Sequence, residues 1–178
     1  MTRSDATRSL KIRRLAKTDD RSTFRSGDAD LDRFFLRYAG QNQFRHHLGT
    51  TYVAVDQAGT LAGFATVTAS EVVSSVLATP RKKSAPKYPL PVLRLARLAV
   101  DERSKGQGVG SVLLRAVFGL AQKMAEEVGC VGVVVDAKPG AVPFYEKLGF
   151  LRLETVSGEL GDRPQPLPMF LELGQLSS

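Results

Sequence analysis

The run Lys105, Gly106, Gln107, Gly108, Val109, Gly110 sets three glycines at alternate positions between a strand-like stretch and an amphipathic helix. Glycine removes a side chain where the backbone must approach a ligand closely or adopt a positive φ. Amides at the start of the following helix point outward without intrahelical partners and hold phosphate oxygens well. The pattern points to a phosphate site, although a tight turn serving no ligand has similar glycines. An ATP-type loop is excluded, because Lys-Ser/Thr does not follow the glycines at its spacing. A dinucleotide fold places an acidic residue about 20 residues further on, after the next strand. Here Glu126 and Glu127 fall at the helix end, and the next strand closes with Asp136, Ala137 and Lys138. Hydride chemistry therefore fits poorly. The two histidines, His46 and His47, are adjacent and have no Cys or carboxylate at ligand spacing, so no metal site is expected. The lone cysteine, Cys130, reads as a small core residue rather than a nucleophile.

The elements that must position this turn follow from hydrophobic spacing. Residues 92–100 form a β-like run with Arg94 and Arg97 interleaved. A long helix over 109–128 has Val109, Val112, Leu113, Ala116, Val117, Leu120, Met124 and Val128 as its apolar stripe, with Gly129 as its stop. Strand 131–135, a short helix over 141–148, a strand from Phe150 and a last strand over 168–173 complete that half. Upstream, a first strand spans 10–15 and a helix 27–38, with Leu31, Phe34, Phe35 and Tyr38 at helical spacing. Strands 50–55 and 61–68 form an antiparallel hairpin around residues 56–59. Residues 70–91 break this rhythm. A short helix, 71–77, leads into a loop in which prolines 80, 86, 89 and 91 exclude a regular interior element. The pattern predicts one α/β (α+β) domain over residues 1–178, a central mixed sheet covered by helices.

Composition narrows the class further. No stretch approaches the roughly 18 consecutive apolar residues of a membrane-spanning helix, and a single cysteine excludes a disulfide-stapled domain. The N-terminal residues lack the apolar core of a secretory signal, so a cytoplasmic protein is expected. The net charge of +7 is unevenly placed. Residues 1–25 hold eight Lys/Arg against three acids, residues 81–105 hold eight against two, and residues 153–178 hold one against four. A directional positive face suits a polyanionic partner. Arg81, Lys82, Lys83, Lys87, Arg94 and Arg97 are the candidates for nucleic-acid phosphate contacts, with Arg94 and Arg97 of opposite strand parity.

The glycine run, together with AVPFYEKLGF at 141–150, resembles the GNAT N-acetyltransferase superfamily, whose signature binds the pyrophosphate of acetyl-coenzyme A. Lys105 stands where that signature usually has Gln or Arg. A narrower resemblance covers residues 24–43, 88–110 and 133–150 and is to the acetyltransferase toxins of bacterial toxin–antitoxin pairs. It implies the GNAT fold, a central, mostly antiparallel mixed sheet flanked by helices. It also implies acetyl transfer to the α-amino group of aminoacyl-tRNA, which blocks translation. The implied partners are a small ribbon-helix-helix antitoxin, operator DNA through the antitoxin complex, and a second copy in a homodimer.

The resemblance also assigns roles. Leu98, Ala99 and Val100 would offer backbone groups to the pantetheine arm. Gly106, Gln107, Gly108, Val109, Gly110 and Ser111 would cradle the pyrophosphate, Lys105 would add charge, and Asp136 and Lys138 would border the cofactor cleft. Tyr145 would protonate the departing thiolate, beside a core Phe144. A phenol of ordinary pKa about 10 is protonated at neutral pH and can do so. No Glu in the 50–70 region stands as a general base, since Glu71 falls after the run. An acetyltransferase of protein or small-molecule amines shares the generic signature, and a non-catalytic acyl-CoA- or nucleic-acid-binding module is a further alternative. Tyr145 and the intact glycine run argue against the last.

Overall fold

The computed structural model describes residues 9–73, 89–153 and 166–175. The strands are β1 (Lys11–Arg14), β2 (Thr50–Val55), β3 (Leu61–Val72), β4 (Leu90–Val100), β5 (Gly132–Ala137), β6 (Leu151–Arg152) and β7 (Leu167–Glu172). The helices are α1 (Ala29–Arg33), α2 (Ala39–Phe44), α3 (Val109–Glu127) and α4 (Val142–Lys147). The strands join in the order β1-β2-β3-β4-β5-β7-β6. Pairing of β4 with β5 is parallel, and β1–β2, β2–β3, β5–β7 and β6–β7 are antiparallel. This is the expected mixed, mostly antiparallel sheet flanked by helices. The chain divides into two compact units that interleave along the sequence, Met1–Thr68 with Ala96–Gly119, and Ala69–Leu95 with Leu120–Ser178.

The first unit is built around aromatic rings. Phe35 stacks on Phe64 with centroids 4.3 Å apart, and Phe24 meets both rings edge-on. Leu15, Phe34, Val53, Leu61 and Ala99 close the cluster. Gly63 on β3 is needed for close approach. A Cβ there would lie 2.9 Å from both the Ala99 carbonyl oxygen and Val109 Cγ1, so any side chain would push the first turn of α3 off the sheet. In the second unit β5 runs beside Leu93–Leu95 of β4 and antiparallel to β7. Val72, Leu90, Val92, Val134 and Phe170 form a buried cluster there.

Several sequence expectations change. The helix over 27–38 does not stop at Tyr38 but continues to Phe44, with a π-helical turn at Phe34–Tyr38 in its middle. Asp28 caps its start, accepting from the amides of Asp30 and Leu31. At the π turn the Ala39 amide bonds the Phe34 carbonyl, and the Phe35 carbonyl accepts instead from the Arg21 guanidinium at 2.6 Å. The expected helix at 71–77 is contradicted at its start, because Glu71 and Val72 extend β3. Residues 74–77, and Arg81, Lys82, Lys83 and Lys87, lie outside the described residues. Pro91 sits inside β4 after all. It is exposed near the strand's start, where a missing donor is tolerated, and its carbonyl accepts from Val131. Val128 is not part of the apolar stripe: α3 ends at Glu127 and Val128 is 81% exposed, while Leu114 and Ala121 are buried instead. Gly129 does end the helix, with φ +116 and its amide on the Met124 carbonyl.

Candidate active site

The glycine turn is held from below by a carboxylate. β4 ends at Val100, and Asp101, only 1% exposed, follows it. Its side chain accepts from the backbone amides of Arg25 and Arg103 and from Nε and Nη2 of Arg103. The main chain locks on the same side, since the Asp101 amide donates to Ala62 and the Glu102 amide to Arg25. Burial alone would push the Asp101 carboxyl upward. The Arg103 guanidinium and the two amides outweigh it and hold the group below the usual aspartate value. A short 3-10 turn, Glu102–Ser104, then delivers Lys105.

Beyond it, Gly106 and Gly108 take φ values of +78 and +81, which other residues adopt only with strain. Gly110 already lies in α3, and its φ is not among the positive ones. Because α3 opens at Val109 and its first ladder bond runs from Val112 to Gly108, the amides of Val109, Gly110 and Ser111 have no partner within the helix. A helix of 19 residues places its positive dipole end there. This turn therefore fits the phosphate groups of an acyl-CoA. An open cavity of about 250 Å³ adjoins it, lined in part by Ser104, Gln107 and Val109. Lys105 is exposed and its Nζ donates to the Ser26 carbonyl at 2.5 Å, tying the turn to the loop before α1.

Tyr145 lies on α4 in the second unit. It is 6% exposed and meets Phe144 and Phe150 edge-on at 5.3 and 5.4 Å. Burial pushes the phenol up to about 12. Among the described residues its hydroxyl has no hydrogen-bond partner, so the donor is retained and unspent. Phe144, expected in the core, is the outer of the two rings at 37% exposed. The adjacent pair divides by its helical phase: Tyr145 turns inward and Phe144 outward.

The other sequence candidates occupy distinct places. Asp136 and Arg94 pair at 2.6 Å across the parallel strands β5 and β4, and Arg94 Nε also donates to Ser70. Arg97 lies 3.8 Å above the Phe34 ring. Lys138 is exposed just before the 3-10 turn Pro139–Ala141. The β4–β5 ladder covers Leu93–Leu95 and stops short of Leu98, Ala99 and Val100. Cys130 is buried, its thiol directed to the Gly132 carbonyl. No group of metal-ligating side chains occurs among the described residues. Asp101 was missed by sequence reasoning; its signal is an aspartate just past a strand with an arginine two residues later.

Residues 11–150 match the acetyltransferase (GNAT) family. A tRNA-acetylating toxin of Mycobacterium tuberculosis is 30% identical over 125 residues, covering 70% of this chain and 74% of that protein. AtaT complexed with acetyl-methionyl-tRNAfMet superposes with a TM-score of 0.81 at 23% identity, over 94% of this chain and 97% of that one. A mutant AtaT toxin bound to the C-terminus of the antitoxin AtaR and acetyl-CoA gives a TM-score of 0.72 at 22% identity, over 94% and 96% of the two chains. With a family match over residues 11–150 and a relative 30% identical over 70% of its length, the chain belongs to the GNAT family of acetyl-CoA-dependent acetyltransferases.

Proposed function

We propose that this chain is a toxin that acetylates the α-amino group of aminoacyl-tRNA, with Tyr145 as its general acid. Acetyl-CoA supplies an activated thioester. The first-turn amides Val109–Ser111 with Gly106, Gln107 and Gly108 hold its pyrophosphate, Lys105 adds charge, and Leu98–Val100 present backbone groups to its pantetheine arm. The resemblance also implies cofactor contacts for Asp136 and Lys138. The observation that carries the chemistry is the Tyr145 hydroxyl, buried, unpartnered among the described residues and kept protonated. As an amine attacks the acetyl carbon and the C–S bond breaks, the sulfur accepts the proton of that phenol, while the proton shed by the amine passes to water, which returns one to the phenolate. The α-amine of an aminoacyl ester is electron-poor and its pKa is lowered toward neutrality, so a substantial share is already neutral near pH 7 and no dedicated carboxylate base is required, in keeping with the absence of a Glu in the 50–70 region.

The acceptor is supported by the likeness to a tRNA-acetylating toxin over 70% of the chain. Arg81, Lys82, Lys83 and Lys87 are assigned to tRNA phosphates. The assignment excludes Arg94, already neutralised by Asp136, and Arg97, already seated on Phe34. The reading includes a small ribbon-helix-helix antitoxin whose complex with the toxin binds operator DNA, a homodimer, a single domain over 1–178 and action in the cytoplasm.

The test incubates the protein with labelled acetyl-CoA and with charged and uncharged tRNA pools. Label in the aminoacyl adenosine released from charged tRNA is the expected result. Label in protein or free amines alone would overturn the proposal.

A further inference from the structure

The π turn inside the α1–α2 segment has a consequence for charge. Twelve residues of ideal α-helix turn through three revolutions plus roughly 120°, so residues spaced by four wind around the surface. One extra residue in a single turn removes about 100° of that drift. Arg33, Arg37, Gln41 and Arg45 are spaced by four across the π turn, and all four are exposed. Leu31, Phe35, Ala39 and Gln43, offset by two, are buried or half-buried. Both stripes run straight because the bulge lies within the span of each. Three guanidinium groups thus line one exposed edge over roughly 18 Å of helix.

The fold fixes this bulge from the inside. Arg21 bonds the Phe35 carbonyl that the π turn releases from the ladder, and its guanidinium fits where Gly40 has no side chain, with a Cβ there only 3.1 Å from Arg21 Nη2. One exposed carboxylate at the start of the helix is the sole ion-pair partner of the stripe among the described residues. From residue 33 to residue 55 the chain has no Asp or Glu. Arg33 faces only the exposed Asp30 at 3.5 Å, and the guanidinium groups of Arg37 and Arg45 have no partner among the described residues. Tyr38, Leu36 and Leu48 are exposed beside the stripe, the mixture of basic and flat or apolar side chains suited to a nucleic-acid strand.

We infer that the Arg33–Arg37–Arg45 edge is a phosphate-backbone track for RNA, aligned by the π turn. This rests on the aminoacyl-tRNA reading and adds a second set of contacts for that acceptor to those assigned to Arg81, Lys82, Lys83 and Lys87. Changing all three arginines to Gln should raise the KM for charged tRNA at least tenfold. The slope of log affinity against log salt for uncharged tRNA should flatten by about 2 to 3, one unit per lost phosphate contact. Affinity for acetyl-CoA should be unchanged. A triple Lys variant should keep the wild-type slope; a loss equal to that of the Gln variant would trace to disturbed packing and overturn the inference. Unchanged KM and slope in the Gln variant would also overturn it. So would loss of binding to a polyglutamate peptide with RNA binding intact, since the face would then serve an acidic protein. Uncharged tRNA binding requires no chemistry, so an enzyme that fails to acetylate charged tRNA would refute the proposed reaction while leaving this surface separately testable.

Discussion

The glycine turn and the tyrosine are prepared for their tasks by opposite means. Around Lys105–Gly110 the chain spends its polar groups on itself: a buried carboxylate takes four hydrogen bonds, and two more backbone bonds pin the same corner. Around Tyr145 polar partners are withheld, and two phenylalanine rings pack edge-on against a tyrosine whose hydroxyl is left unpaired among the described residues. Holding an anion by backbone amides demands a rigid main chain, which internal hydrogen bonds supply. Donating a proton to a leaving group demands a free donor that does not ionise early, which an apolar wall supplies.

Tyr145→Phe breaks the comparison most sharply. It removes one oxygen and leaves both ring contacts, so turnover should fall by roughly 10² to 10⁴ while acetyl-CoA affinity and melting temperature stay near wild type. Steady-state kinetics with equilibrium binding checks this, and full retained turnover would remove Tyr145 from the chemistry. Asp101→Asn attacks the other region. It removes the charge at a group only 1% exposed and leaves its donors poorly matched, costing on the order of 2 to 3 kcal/mol of stability. The loss should also appear as weaker acetyl-CoA binding. Its pH dependence has a defined sign. The folded carboxyl lies below its unfolded value, so its stabilisation is complete above the unfolded value and is lost as pH falls through the folded one. Acid melting curves of wild type and Asn variant should therefore begin to converge as pH falls below about 4 and meet only below the folded value. Curves that stayed parallel would show that the charge of Asp101 holds nothing.

What was legible in the sequence follows the range of the forces involved. The turn was readable because positive φ at two alternate positions requires glycine locally, and α3 announces itself by its own periodicity. Tyr145 was placed by resemblance, its position in AVPFYEKLGF being informative where a helix of six residues is too short for periodicity to orient neighbouring rings. That is why Phe144 was expected in the core although its ring faces outward. The π turn depends on Arg21 and Gly40, distant in sequence from one another, and no local propensity encodes such a bond. Asp101 is similar, since its partner amide at Arg25 comes from across the fold. Glu71 and Val72 have a helix-compatible composition, but pairing in the sheet draws them into β3.

Gly108→Ala tests the turn more gently. At φ +81 an added Cβ costs about 1 to 2 kcal/mol if the conformation is kept. The expected outcome is a rise in acetyl-CoA KM with little change in turnover at saturation, because the strain falls on the cradle and not on the acid. A fall in turnover with unchanged KM would instead mean that the turn shapes the chemistry.

Phe144→Ala has the smallest effect on stability and probes the apolar wall itself. Phe144 is 37% exposed, so truncation forfeits little burial and chiefly loses an edge-on ring contact worth about 0.5 to 1.5 kcal/mol. Its value lies in the phenol. Burial holds the Tyr145 hydroxyl near 12, and removing the outer ring admits water on that side, which favours the phenolate. The titration midpoint of Tyr145, followed by ultraviolet absorbance with the Tyr145→Phe protein as blank, should move down toward the ordinary value of about 10. At neutral pH the acid remains protonated in both proteins, so turnover near pH 7 should change little, and the difference should open only in alkali, where the variant loses its acid first. A midpoint that stayed near 12 would assign the whole wall to Phe150 and leave Phe144 as a surface ring.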